Sequence, residues 1–120
     1  MDKKKISKEA QDYYRSGYNC AQSVGMALKD GGITMSPELL NALGGFGSGL
    51  GGSGCICGAL AGGVIIASSK DPVKARGRAN LLHDAFKNEF KTTCCRVLRT
   101  KNQCQEYVRF MTEKTLEVIE

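Results

Sequence analysis

The residues of this chain that could do chemistry are its six cysteines: Cys20, Cys55, Cys57, Cys94, Cys95 and Cys104. A thiolate is a nucleophile, a redox group and a ligand for soft metal ions. No apolar run follows the basic N-terminal residues, so we expect no signal peptide and a cytoplasmic protein. In that reducing compartment, cysteines indicate redox or metal chemistry rather than a framework of structural disulfides.

Three of these cysteines share one kind of place in the predicted secondary structure, and a fourth lies near such a place. Cys20, Cys57 and Cys104 each fall in the first turn of a predicted helix, and Cys95 lies in a short turn before one. The N-terminal end of a helix carries partial positive charge and unpaired amide donors, and both favour a thiolate over a thiol. We therefore predict that the four side chains converge in one pocket beneath a glycine-lined entrance and act there as catalytic residues.

The other two cysteines are close neighbours of that set along the chain. Cys55 lies two residues before Cys57, and residues two apart on a helix point to different faces. Only one of them should therefore reach the pocket, unless the glycine loop holds Cys55 in an extended turn. Cys94 and Cys95 are adjacent, so we also expect only one of these two to reach the pocket. We favour Cys57 and Cys95, and treat Cys55 and Cys94 as accessory thiols.

The element that must position these thiols is the stretch from Gly44 to Ala67, a glycine-saturated loop followed by a segment without charged residues. Glycine lets the backbone pass close to another group. The uncharged segment is shorter than the roughly 20 apolar residues that cross a bilayer. We predict instead a central helix from about Cys55 to Ser69, buried on every side, with small residues that let its neighbours pack closely.

Apolar periodicity and capping residues predict the remaining helices. Asn19 is a good N-cap, and Ser36-Pro37 and Asp71-Pro72 each combine a cap with a proline at the first helical position. The predicted helices span about 4–16, 20–30, 36–43, 55–69, 71–92 and 102–119, with the fifth as the longest and a helical turn at 93–98. Because no convincing strand, repeat or linker interrupts them, we predict a single all-α domain over residues 1–120, a compact bundle of five or six helices around the short buried one.

At this point the sequence resembles a family of redox-active proteins that is named after its own pattern, C…GCAxxG…C…C. The matching pieces are Tyr18-Asn19-Cys20-Ala21-Gln22-Ser23, Cys57-Gly58-Ala59-Leu60-Ala61-Gly62, Cys95-Arg96-Val97-Leu98 and Cys104. The order and spacing of the four pieces are specific, and together they span most of the chain from Tyr18 onward. The resemblance implies a small redox-active protein whose signature cysteines match Cys20, Cys57, Cys95 and Cys104.

The chain departs from the family pattern at one of the four pieces. Cys57 follows Ile56 rather than a glycine, whereas Gly54-Cys55 has the Gly-Cys order but lacks the Gly-Ala that should follow. The departure leaves open which of Cys55 and Cys57 belongs to the site.

These observations favour a thiol redox protein, resembling a thiol oxidoreductase, that forms reversible disulfides or passes electrons to an unidentified partner protein. Disulfide chemistry itself requires no cofactor. The alternative is a zinc or iron–sulfur site that uses the same four cysteines, Cys20, Cys57, Cys95 and Cys104, as thiolate ligands. A third hypothesis is a non-catalytic helical subunit whose thiols only pack. The sequence names no substrate, electron donor or acceptor.

Other interpretations of the sequence have less support. The glycine run at 47–52 has the letters of a dinucleotide fingerprint, but that motif needs a strand before it. The net charge of +5 comes from scattered residues, so nucleic acid is not favoured as a partner. His83, the single histidine, is read as a packing residue. No segment is long enough to span a membrane, and a homo-oligomer is compatible with a bundle of this size.

Overall fold

The computed structural model describes residues 2–120, and this part of the chain is all-helical, with seven α-helices and no strands. The helices are α1 (Lys3–Arg15), α2 (Cys20–Asp30), α3 (Pro37–Ala42), α4 (Gly58–Lys70), α5 (Ala75–Phe90), α6 (Cys95–Leu98) and α7 (Cys104–Ile119). Short 3₁₀ turns follow α3 at Leu43–Phe46 and α6 at Arg99–Lys101. The count exceeds the predicted five or six because the turn predicted at 93–98 contains a short α-helix.

The capping residues predicted at two helix starts are confirmed. The Asn19 side chain accepts a hydrogen bond from the Gln22 amide at 2.8 Å, and the Gln22 side chain accepts one from the Asn19 amide at 3.0 Å. This reciprocal pair satisfies two amides that would otherwise lack partners at the start of α2. Ser36 caps α3 in the simpler way, by accepting from the Leu39 amide at 3.1 Å.

Two predicted helix starts were wrong. Helix α4 begins at Gly58 rather than Cys55, because the residues before it pair with another segment of the chain. Helix α5 begins at Ala75 rather than Asp71. The Asp71 carboxylate accepts from the Val73 amide at 3.1 Å, which makes a local turn ahead of the helix. With this later start α5 has 16 residues, the same length as α7.

Helices α4 and α7 together form the centre of the bundle. Helix α4 packs against α2, α5 and α7, whereas α7 packs against α1, α2, α4 and α5. The first six residues of α4, Gly58 to Gly63, are all buried, and they cover more than one turn. Val64 and Ile65 are only partly buried. The prediction of a helix buried on every side therefore holds for the N-terminal half of α4, which follows Cys57.

Glycine brings α2 into close contact with α4. A Cβ atom on Gly62 would lie 3.0 Å from Ala21 Cα and 3.2 Å from its carbonyl oxygen, so the two backbones nearly touch. This contact fixes the start of α2 beside the start of α4. Within residues 2–120, no helix combines the length and the apolar character that crossing a membrane requires.

Candidate thiol site

The structure places four cysteines at or beside helix starts, as predicted for Cys20 and Cys104, whereas Cys57 was expected inside a first turn and Cys95 in a turn before a helix. Cys20, Cys95 and Cys104 are the first residues of α2, α6 and α7, and Cys57 is the residue immediately before α4. Their thiols lie close enough for the charge on one sulfur to change the pKa of another. Negative charge on Cys57, Cys95 or Cys104 raises the pKa of Cys20. Four points far apart along the chain thus meet at one end of the bundle.

The glycine-rich loop packs directly against these helix starts. A Cβ atom on Gly58 would lie 2.7 Å from the Phe46 carbonyl oxygen and 3.3 Å from Cys20 Cβ. A Cβ atom on Gly49 would lie 2.7 Å from Cys95 Cβ and 2.6 Å from the Cys55 amide nitrogen. The missing side chains are therefore what allows the loop to approach Cys20 and Cys95.

A short antiparallel pairing holds the loop to α6. The Cys57 amide donates to the Thr93 carbonyl at 2.9 Å, and the Cys95 amide donates to the Cys55 carbonyl at 2.6 Å. Ile56 and Cys94 form the bridge between these two bonds, the single β-bridge in residues 2–120. The extended conformation that the sequence left open for Cys55 is thus the one adopted, and the pairing brings Cys57 and Cys95 into one neighbourhood.

An open cavity of about 470 Å³ exposes part of this thiol cluster. Three of the four predicted cysteines, Cys20, Cys95 and Cys104, line the cavity. The remaining lining residues are Tyr14, Gly17, Tyr18, Asn19, Ser48 and Arg99. Cys57 is 3% exposed and lies outside the lining, so it has no direct access to a molecule in the cavity.

Cys20 and Cys104 each have the largest single effect on the other's pKa. The Cys20 thiol hydrogen-bonds to the Cys104 sulfur, and this bond lowers the pKa of Cys104 to about 6. Partial burial opposes the shift, whereas a hydrogen bond from Tyr14 and the charge of Arg99 reinforce it. The same bond to Cys104, together with burial, raises the pKa of Cys20 far above its ordinary value. At neutral pH the pair is therefore one thiolate, on Cys104, and one thiol, on Cys20.

The other two helix-start cysteines remain thiols. Burial raises the pKa of Cys57 to about 11, although the amides of Leu60 and Ala59 act in the opposite direction. Burial also raises the pKa of Cys95, against the charge of Arg99. The expectation that a helix start by itself favours the thiolate is therefore wrong at these positions, because desolvation of the charged sulfur outweighs the helix-end amides at Cys57 and the charge of Arg99 at Cys95.

The two accessory cysteines lie on the outer side of the loop pairing. Cys55 is exposed, and the partly buried Cys94 directs its thiol toward the Gly54 carbonyl at 3.7 Å. Neither residue lines the cavity. All six cysteines are free thiols in the structure.

The ligands of the predicted metal site are not assembled. Among residues 2–120, no three cysteine, histidine, aspartate or glutamate side chains are grouped closely enough to hold a metal ion. Zinc or an iron–sulfur cluster on Cys20, Cys57, Cys95 and Cys104 stays a prediction. His83 lies outside the cavity, and its Nδ1 atom is 3.1 Å from the Asp84 carboxylate.

Sequence reasoning missed two residues that act on the Cys104 sulfur. Tyr14 lies on α1, and its hydroxyl hydrogen-bonds to Cys104. Arg99 lies in the 3₁₀ turn after α6, where its guanidinium acts on both Cys95 and Cys104. The helical spacing of Tyr14 relative to Ile6 and Ala10 pointed only to the core. Nothing in the sequence singled out Arg99 among the 17 cationic residues.

The comparisons with known proteins agree with this thiol cluster. No curated protein and no solved structure matches the chain. The sequence profile described as "Putative redox-active protein (C_GCAxxG_C_C)" matches residues 18–118, which include all six cysteines. Because that match covers more than half of the sequence, the chain belongs to the C_GCAxxG_C_C family.

Proposed function

We propose that this protein carries out thiol–disulfide exchange, with Cys104 as the nucleophile and Cys20 as the resolving thiol. The observation that carries the proposal is the hydrogen-bonded pair of Cys20 and Cys104 at the wall of an open cavity. Attack requires a thiolate, and the acidity of Cys104 supplies one at neutral pH. Resolution requires a second thiol within reach of the first sulfur, and Cys20 occupies that position.

The reaction has two balanced steps. The Cys104 thiolate attacks one sulfur of a disulfide, forms a mixed disulfide and releases the other sulfur as a thiolate. Cys20 then loses its proton to solvent and attacks Cys104 Sγ, which releases the second thiolate. The protein dithiol is oxidised to a Cys20–Cys104 disulfide, and the substrate disulfide is reduced to two thiols. The reverse reaction reduces the protein with an external dithiol.

The hydrogen bond between the two sulfurs gives these steps their order. Before the first step, Cys20 holds its proton firmly because its thiol donates a hydrogen bond to Cys104. This bond is the largest cause of the raised pKa of Cys20. Formation of the mixed disulfide removes the negative charge from Cys104 and the strong acceptor with it. The pKa of Cys20 then falls, and its thiolate becomes available only when Cys104 is ready to be attacked.

Cys95 and Cys57 form the second part of the proposal. Cys95 lines the cavity, and its charge acts on the buried Cys57 sulfur. A second reversible disulfide between them would let one molecule store two further electrons. Since both pKa values are raised, this pair would react after Cys104 rather than before it.

Disulfide mapping tests the first pair. Fully reduced protein is treated with one equivalent of a low-molecular-weight disulfide, quenched with acid, digested without reduction and analysed by mass spectrometry. We expect the Cys20–Cys104 disulfide as the main product, and the same product in a variant carrying Cys55→Ser and Cys94→Ser. In Cys20→Ala the reaction should stop at a mixed disulfide on Cys104. A main product between other cysteines, or no intramolecular disulfide, would contradict the proposal.

A further inference from the structure

The cavity beside Cys104 has an uneven charge distribution. Arg99 is the one cationic side chain among its lining residues, and no carboxylate lines it. Every ion pair within residues 2–120 uses another cation, so the Arg99 guanidinium has no carboxylate partner there. Glu106, two residues after Cys104, faces a neighbouring depression and pairs with Arg109 at 3.0 Å. The cavity thus presents one positive charge without a carboxylate partner, and the Cys104 thiolate beside it is the one negative charge among the lining residues.

The size and walls of the cavity suit a small molecule. A volume of about 470 Å³ lies within the usual range of ligand pockets, roughly 300 to 1,000 Å³. The aromatic side chains of Tyr14 and Tyr18 provide an apolar surface, and Asn19 and Ser48 provide polar groups. A small disulfide is of a size that the cavity can hold, with its sulfur atoms beside Cys104.

We propose that the substrate of this site is a small disulfide that carries a carboxylate, which Arg99 binds while Cys104 attacks the sulfur. This inference rests on the proposed thiol–disulfide exchange and adds its substrate class. A guanidinium pairs with a carboxylate through two parallel hydrogen bonds, which fix orientation as well as charge. The net charge of +5 draws an anion toward the protein in addition.

The chemistry balances with this substrate. The Cys104 thiolate displaces one carboxylate-bearing thiolate from the disulfide, and Cys20 displaces the second as the protein disulfide forms. The substrate gains two electrons, and each released thiolate takes a proton from solvent. The protein supplies both electrons from its two thiols.

Rate measurements with two probes of opposite charge test the inference. Reduced protein is mixed with dithiodipropionate, which carries two carboxylates, or with cystamine, which carries two ammonium groups, and the second-order rate constants are measured. The anionic-to-cationic rate ratio is compared between the wild type and Arg99→Gln. Since the same thiolate attacks both probes, any change in the acidity of Cys104 cancels in the ratio. We expect Arg99→Gln to lower the ratio about tenfold, as loss of one charge-assisted contact predicts.

Two further variants control for general charge effects. Lys101→Gln removes an exposed positive charge from the same 3₁₀ turn but outside the cavity, and should leave the ratio within about twofold, as expected for a screened surface charge. Arg99→Lys keeps the charge and should restore part of the ratio. An equal ratio in the wild type and Arg99→Gln, with the Cys20–Cys104 disulfide still formed, overturns the substrate class and leaves the exchange reaction standing. Absence of that disulfide with both probes overturns the exchange reaction itself.

Discussion

At the scale of single residues, the neighbours of a cysteine decide its acidity more than its place on a helix does. Cys20, Cys95 and Cys104 all begin helices, yet only the pKa of Cys104 is lowered. The difference is the hydrogen bond from Cys20, supported by Tyr14 and Arg99. A donor aimed at the charged sulfur stabilises the thiolate directly, whereas burial penalises it.

Substitution of Cys20 tests this explanation. Serine at position 20 retains a hydroxyl donor, so Cys20→Ser should keep the pKa of Cys104 well below the ordinary value, whereas Cys20→Ala should move it toward about 8.5. The thiolate absorbance is followed during a pH titration in a background with Cys55→Ser and Cys94→Ser. Cys104→Ser identifies the signal because it should abolish the first titration step.

Two outcomes would contradict this assignment. If Cys20→Ala titrates like the wild type, the hydrogen bond from Cys20 does not set the acidity of Cys104. If the first step survives in Cys104→Ser, another thiol carries the charge at neutral pH.

The sequence predicted that Cys20 and Cys104 lie at helix starts, and that Cys57 and Cys95 lie close to one, because capping residues and apolar spacing are local signals. It did not predict which thiol is acidic, since that depends on contacts between α1, α2 and α7. Tyr14 is 90 residues from Cys104 along the chain, and only tertiary packing brings them together. The extended pairing at Cys55–Cys57 was missed for the same reason, because its partner lies near Cys94.

At the scale of elements, the glycine-rich loop positions the site through close contact rather than through flexibility. Gly49 has a positive φ of 76°, and it lies against the backbone at Cys55 and the Cβ atom of Cys95. Gly51 also has a positive φ, 61°, but a Cβ atom there would meet nothing within 4 Å. Comparison of substitutions at Gly49 and Gly51 therefore separates the effect of backbone conformation on stability from the effect of close packing.

Alanine substitution at these two glycines should give different losses of stability. Gly51→Ala should cost about 1 to 2 kcal/mol, the strain of a left-handed conformation for a residue with a side chain. Gly49→Ala should cost about 1 to 3 kcal/mol more, because its Cβ atom cannot fit without a shift of the backbone. Urea unfolding of the reduced protein measures both values. Equal losses would show that the loop is not tightly packed against Cys95.

At the scale of the whole molecule, the cysteines make stability depend on pH in two opposite directions. Between about pH 6 and the ordinary thiol range, Cys104 is ionised in the folded protein but protonated in the unfolded chain. The unfolded state therefore binds more protons, and stability rises with pH across this window. At higher pH the buried Cys20 and Cys57 keep protons that the unfolded chain loses, so stability falls.

We accordingly expect the contribution of Cys104 to be fully present above its unfolded pKa, about 8.5, and lost as pH falls through about 6. The free energy of unfolding is measured with urea from about pH 5 to about pH 11 under anaerobic reducing conditions. The upper limit lies about two pH units above the ordinary thiol pKa. The difference in the free energy of unfolding between the wild type and Cys104→Ser should grow from about pH 6 upward. Above the ordinary thiol pKa, the free energy of unfolding should fall less steeply with pH in Cys57→Ala than in the wild type. Because the remaining ionisable groups are common to all three proteins, the differences report on Cys57 and on Cys104 together with its partner Cys20. A pH-independent difference for Cys104→Ser would show that Cys104 carries no stabilised thiolate, and the exchange mechanism would then lose its nucleophile.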